Sequence, residues 1–91
     1  MSGGSLRPSP DVVSQELEGE IVLVHLRTNR IYSLNRTGAR VWELLGEGQG
    51  RAEMLAQLER EFEVAREELE REVDSLFTQL SAEGLAGWDE P

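Results

Sequence analysis

The sequence contains no cysteine and no lysine. Without cysteine, disulfides, thiolate nucleophiles and cysteine-ligated metals are excluded. No apolar run approaches the ~18 residues of a membrane span, and Met1 to Pro10 has neither the basic start nor the apolar stretch of a signal peptide. The expectation is a soluble, cytoplasmic protein without membrane association. Histidine occurs once, as His25 in a strand-like run with no acidic pair nearby, which suits a structural role. There is no glycine-rich phosphate loop, no metal-ligand spacing and no nucleophile elbow. Neither catalysis nor a cofactor nor a metal is expected.

What is present is acid. Fifteen Glu and three Asp outweigh nine Arg, giving a formal net charge of -9. Such a balance opposes phosphate-rich partners and favours neutral or basic ones, so nucleic acid is not an expected partner. Ninety-one residues allow one compact domain near the small end of what an apolar core can stabilise unaided.

Met1 to Pro10 is rich in Ser, Gly and Pro and reads as a disordered tail. From Asp11, Val12, Val13 and Leu17 suggest a first strand, closed by Glu18 and Gly19. Glu20 to Leu26 is apolar on both alternating faces, as a central strand requires. The polar run Arg27 to Arg30 predicts a hairpin leading to a third strand, Ile31 to Leu34. Asn35 then stands where an N-cap belongs, and Val41, Trp42 and Leu45 recur at helical spacing. Gly46, Gly48 and Gly50 break the chain, with Gly46 as the expected C-cap. Met54, Leu55, Leu58 and Phe62 mark a second helical face. A third helix is predicted over Arg66 to Glu83, with Leu69, Val73, Leu76 and Leu80 inward, Phe77 widening that stripe, and Gly84 at its end. Residues 11–86 thus form the predicted domain. Residues 87–91 are a C-terminal tail in which Trp88 either folds back as a cap or stays at the surface. The fold class is α+β, a three-stranded antiparallel meander followed by three helices.

The run SLNRTGARVWELL, followed by a glycine-bearing break and two helices ending in LSAEGLA, resembles the PqqD-like family, the peptide-binding domains known as RiPP recognition elements. The likeness covers roughly Asp11 to Leu85 and implies a winged-helix-like architecture. It also implies a function: holding the leader segment of a ribosomally made precursor peptide while separate enzymes process the attached core. An extended peptide can satisfy the unpaired backbone of an edge strand by β-augmentation. By resemblance that edge is Arg30, Ile31, Tyr32, Ser33 and Leu34. Alternation points Tyr32 and Leu34 inward, because Leu34 leads straight into the capped helix, and in a register the sequence leaves open Ser33 is the position chosen to serve the peptide. The adjoining groove is walled by the third helix, with Val73 and Phe77 as its floor and Glu70 and Asp74 as polar neighbours. Such acids suit a leader bearing Lys or Arg. Stand-alone proteins of this family serve lasso-peptide pathways beside a leader-cleaving protease, the type to which this chain leans, or pyrroloquinoline quinone assembly beside a radical enzyme.

Two other readings fit the same element order. A winged-helix DNA-binding domain needs a basic third helix, whereas Arg66 to Glu83 holds two Arg against six acids. A dimerisation module, in which the helical stripe pairs with a second copy, is the other.

Overall fold

A computed structural model describes residues 5–89. Its elements run β1 (Ser5–Pro8), β2 (Val12–Leu17), β3 (Glu20–His25), β4 (Arg30–Leu34), α1 (Arg36–Gly46), α2 (Arg51–Glu61), α3 (Arg66–Ala82) and β5 (Ala86–Asp89). The antiparallel sheet has the order β2-β3-β4, with three helices after it.

Local chemistry sets each boundary. Leu17 pairs with Glu20 across Glu18 and Gly19, whose φ values of 53° and 85° are the two positive angles of a type I′ hairpin turn. In the second hairpin Asn29 takes φ 61°, and its N–H donates to the His25 carbonyl at 2.8 Å. The Asn35 side chain caps α1, its Oδ1 accepting from the Gly38 N–H at 2.8 Å. That bond satisfies one of the first-turn donors a helix cannot pair internally. At the other end of α1 the sequence expectation needs correction. Gly46 is still helical, Glu47 is the C-cap, and Gly48 takes the left-handed φ of 87° that reverses the chain. Phe62 likewise leaves the helical face expected of it and caps α2, half-buried against the core.

The core lies between the inner face of the sheet and the helices. Ile21 and Leu23 of β3 and Leu34 of β4 meet Val41, Leu44 and Leu45 of α1, Met54, Leu55 and Leu58 of α2, and Leu69, Val73, Phe77 and Leu80 of α3 in one apolar cluster. Outside it, Arg40 ties α1 to the end of α2: its Nε and NH2 donate to the two carboxylate oxygens of Glu61 at 2.8 and 2.9 Å. His25 is buried where β3 meets the end of α3, and its Nδ1 accepts from the Arg27 N–H at 3.3 Å. Gly84 takes the left-handed φ of 73° that favours glycine, and it lies against His25, where a Cβ would stand at an ordinary contact distance of 3.5 Å from Nε2.

The chain ends depart from the sequence reading. Residues 1–4 and 90–91 lie outside the described residues, but Ser5–Pro8 is not a tail: it pairs antiparallel with Ala86–Asp89 as a separate two-stranded ribbon. Leu6 is the reason, being an apolar side chain 3% exposed within the core cluster and set opposite Trp88 in the register. The C-terminal residues 86–89 are correspondingly strand. Trp88 folds back, its ring edge-on to Phe77 with centroids 6.2 Å apart, yet it stays 54% exposed. Among the described residues no helix is long and apolar enough to cross a membrane.

Candidate functional site

β4 is an edge strand, paired with β3 on one side and with no described strand on the other. The register shows which of its backbone groups face the open side. In a type I′ hairpin the residues flanking the turn are a hydrogen-bonded pair, so Glu20, Val22 and Val24 direct their backbone groups to β2. Ile21, Leu23 and His25 must then serve β4, through Leu34, Tyr32 and Arg30. Ile31 and Ser33 therefore turn their N–H and C=O groups to the open edge.

The side chains of β4 alternate as the sequence suggests. Leu34 is buried and Tyr32 half-buried on the inner face, while Ile31 is 68% exposed and Ser33 lies at the surface. The Tyr32 hydroxyl donates to Glu83 Oε1 at 2.9 Å, and Arg30 NH1 stands 3.4 Å from the same oxygen. Both contacts tie the start of β4 to the end of α3.

Beside the other end of β4 is a cavity of about 370 Å3. Ser33, Leu34 and Asn35 form one wall, and Thr37, Gly38 and Val41 of α1 form its base. The third wall is α3, through Arg71, Glu72, Val73, Ser75, Leu76 and Gln79. Gly38 leaves room for the Asn35 cap: a Cβ on it would lie 3.3 Å from Asn35 Oδ1, tighter than usual, whereas Leu34 Cβ and Leu76 Cδ2, at 3.5 and 3.6 Å, would be at ordinary contact. Glycine in a first helical turn where the backbone needs no positive φ signals such an approach.

Of the residues expected to line this groove, the structure brings Val73 to β4 and sends the others elsewhere. Phe77 and Asp74 line a second cavity of about 720 Å3 on the far side of α3, with Leu6, Leu45, Arg51 and Trp88. Phe77 is 8% exposed. Asp74 accepts from Arg51 Nε at 2.7 Å and NH2 at 2.9 Å. Hydrogen bonding to that guanidinium holds the Asp74 carboxyl below its ordinary value, against a smaller opposing effect of desolvation. Glu70 pairs with Arg66 at 3.3 Å. The acids read as groove neighbours are thus neutralised by arginines away from β4, and the groove rim carries one charge of each sign, Arg71 and Glu72. The physical reason is helical rotation: residues 73, 76 and 80 do not share a bearing with 70, 74 and 77. Leu76, which the spacing assigns to the core, is only half-buried and faces the groove. No group of His, Cys, Asp and Glu among the described residues could hold a metal ion.

Comparison with known proteins matches this geometry. The solved structure described as "TbiB1 in Complex with the TbiA(beta) Leader Peptide" superposes with a TM-score of 0.82 at 32% identity, covering 88% of this chain and 93% of that one. A second, "Lasso peptide synthetase B1 complexed with the leader peptide", gives 0.81 at 29% identity, covering 90% and 96%. No curated protein sequence matches the chain. The family described as "Coenzyme PQQ synthesis protein D (PqqD)" matches residues 20–86, well over half of the length. The chain belongs to the PqqD family.

Proposed function

We propose that this protein binds the leader segment of a ribosomally synthesised precursor peptide and holds it for the enzymes that process the core. The peptide adds to the sheet as a strand along the outer edge of β4. The observation that carries this is the open edge itself: Ile31 and Ser33 present unpaired backbone donors and acceptors beside an apolar-floored groove. It is supported by likeness over 88% and 90% of the chain to two B1 proteins solved with leader peptides.

Arg30 to Leu34 supply the backbone ladder. Leu76, backed by the buried Val41 and Val73, receives apolar side chains from the peptide's inner face, and Arg71, Glu72 and Gln79 meet its polar groups. Phe77 and Asp74 support α3 from behind. The processing enzyme is a leader-cleaving protease of a lasso-peptide pathway, a reading favoured by both structural neighbours being B1 proteins. The protein positions the peptide and leaves the chemistry to that enzyme.

Fluorescence polarisation with a labelled synthetic leader tests the assignment. Saturable micromolar or tighter binding is expected, and hydrogen exchange with and without leader should show new protection at residues 31 and 33. Protection confined to α2 would place the peptide elsewhere.

A further inference from the structure

The face of the sheet turned away from the helices carries an apolar row that, among the described residues, is uncovered. The registers align Val13 of β2 with Val24 of β3, and Val24 with Ile31 of β4, in a row across all three strands. Leu17 stands at one end of this face and Leu26 flanks the other. Val13, Leu17, Leu26 and Ile31 are 49%, 56%, 56% and 68% exposed. Single exposed apolar residues are ordinary, but side chains adjoining one another on one sheet face mark an interaction surface.

Two observations identify what covers it. First, the row ends at Ile31, on the strand whose open edge takes the peptide. A strand added there puts its own residue beside Ile31 with its side chain on the same face. The apolar row therefore runs on into the ligand, and a protein lying across it touches carrier and cargo together. Second, the end of the face at the β2-β3 turn carries Glu20, opposite Leu17, with Glu18 in the turn itself, both exposed, on a chain of net charge -9. A partner with an apolar centre and a basic margin is complementary to that pattern.

From this geometry we infer that the outer sheet face docks the enzyme that processes the bound peptide, and that the outward side chains of the leader complete the docking surface. The inference rests on the peptide-binding reading above. It adds a mechanism for order of assembly. Because the enzyme touches both components, it favours loaded over empty carrier, and by linkage its presence tightens peptide binding by the same factor.

The test uses the full chain, a labelled synthetic leader, the precursor peptide and the purified protease that cleaves that leader. The variants are the double substitution Val13→Glu with Leu17→Glu, both on exposed β2 and remote from β4, and separately Leu26→Arg. Each should leave the melting temperature and leader affinity close to wild type. Each should lower the cleavage efficiency of carrier-bound precursor by about tenfold or more, the effect of disturbing an interface centre. Val13→Ile should cleave as wild type. Variants that bind leader and support wild-type cleavage overturn the docking face while leaving the peptide site intact. A wild-type protein that fails to bind leader overturns the underlying reading instead. A wild-type dimer in sedimentation that the double substitution makes monomeric, with cleavage unchanged, gives the face to a second copy and also overturns the inference.

Discussion

Adjacent residues on α3 should respond in opposite ways to truncation. Phe77 is 8% exposed, packs edge-on against Trp88, and adjoins the cavity on the far side from β4. Phe77→Ala removes a ring whose loss from a core costs about 3 to 5 kcal/mol. Because the vacated space opens into an existing cavity, the lower part of that range, about 3 kcal/mol, is expected. For a domain of this size each kcal/mol lowers Tm by roughly 4 to 8 °C, so a fall of at least about 12 °C follows. Leader affinity in the folded fraction should change by less than about twofold, since the ring does not reach the groove. Leu76 is half-buried and faces the groove. Leu76→Ala gives up only part of a side chain's burial, about 1 kcal/mol, but removes apolar surface the peptide would cover, weakening binding about tenfold. Thermal melts without peptide and calorimetric titrations at 10 °C, where both variants are folded, separate the two quantities. Melts must omit leader, because a ligand at 100 times its Kd stabilises by about 2.7 kcal/mol and would mask the loss. A Phe77→Ala protein that melts normally but loses leader, beside a Leu76→Ala protein that binds normally, would refute the assignment of the groove.

Proline scanning of β4 checks the ladder: Ser33→Pro and Ile31→Pro should weaken leader binding with the fold intact by circular dichroism, whereas Tyr32→Pro, which removes a donor to β3, should unfold the protein. Asn35→Ala should destabilise the domain by about 1 kcal/mol in urea unfolding, with Asn35→Asp retaining most of that capping energy. The Glu61 carboxyl is held below its ordinary value by hydrogen bonds from Arg40 and then Gln57. Since its folded value is depressed, its contribution is present above the unfolded value and is lost as pH falls through the folded one. Solvent screening keeps it to about 1 kcal/mol or less. Glu61→Gln should accordingly lower stability at pH 7 and flatten the acid limb of a stability profile below about pH 4.5.

Local signals in the sequence carried most of the fold. The two-sided apolar run at Glu20 to Leu26 requires a central strand, and β3 is one. Asn35 before a helical pattern requires a cap, and Gly38 supplies the bonded N–H. Alternation in Ile31 to Leu34 named the inward pair Tyr32 and Leu34. His25 ends β3, and its Nδ1 accepts from the nearby Arg27 N–H. Each of these follows from hydrogen bonding or periodicity within a few residues.

The rest depended on where separate elements came to lie. Nothing near Leu6 indicates that it pairs with a strand some eighty residues later, because a four-residue ribbon has no periodicity long enough to read and its stability comes from burying Leu6 against α1. The groove is a similar case. Val73, Leu76, Phe77 and Leu80 all satisfy the apolar spacing of one helix, and only the docking angle of α3 against β4 and α1 turns Leu76 to the groove and Phe77 to Trp88. Arg51 draws Asp74 away from the site for the same reason, being distant in sequence and adjacent only once α2 and α3 pack. The sequence by itself determined the order of the elements, the edge strand and its inward face, since those are set by neighbouring residues. The tertiary packing decided which side of α3 faces β4, because helical periodicity states that a face is apolar without stating what it faces.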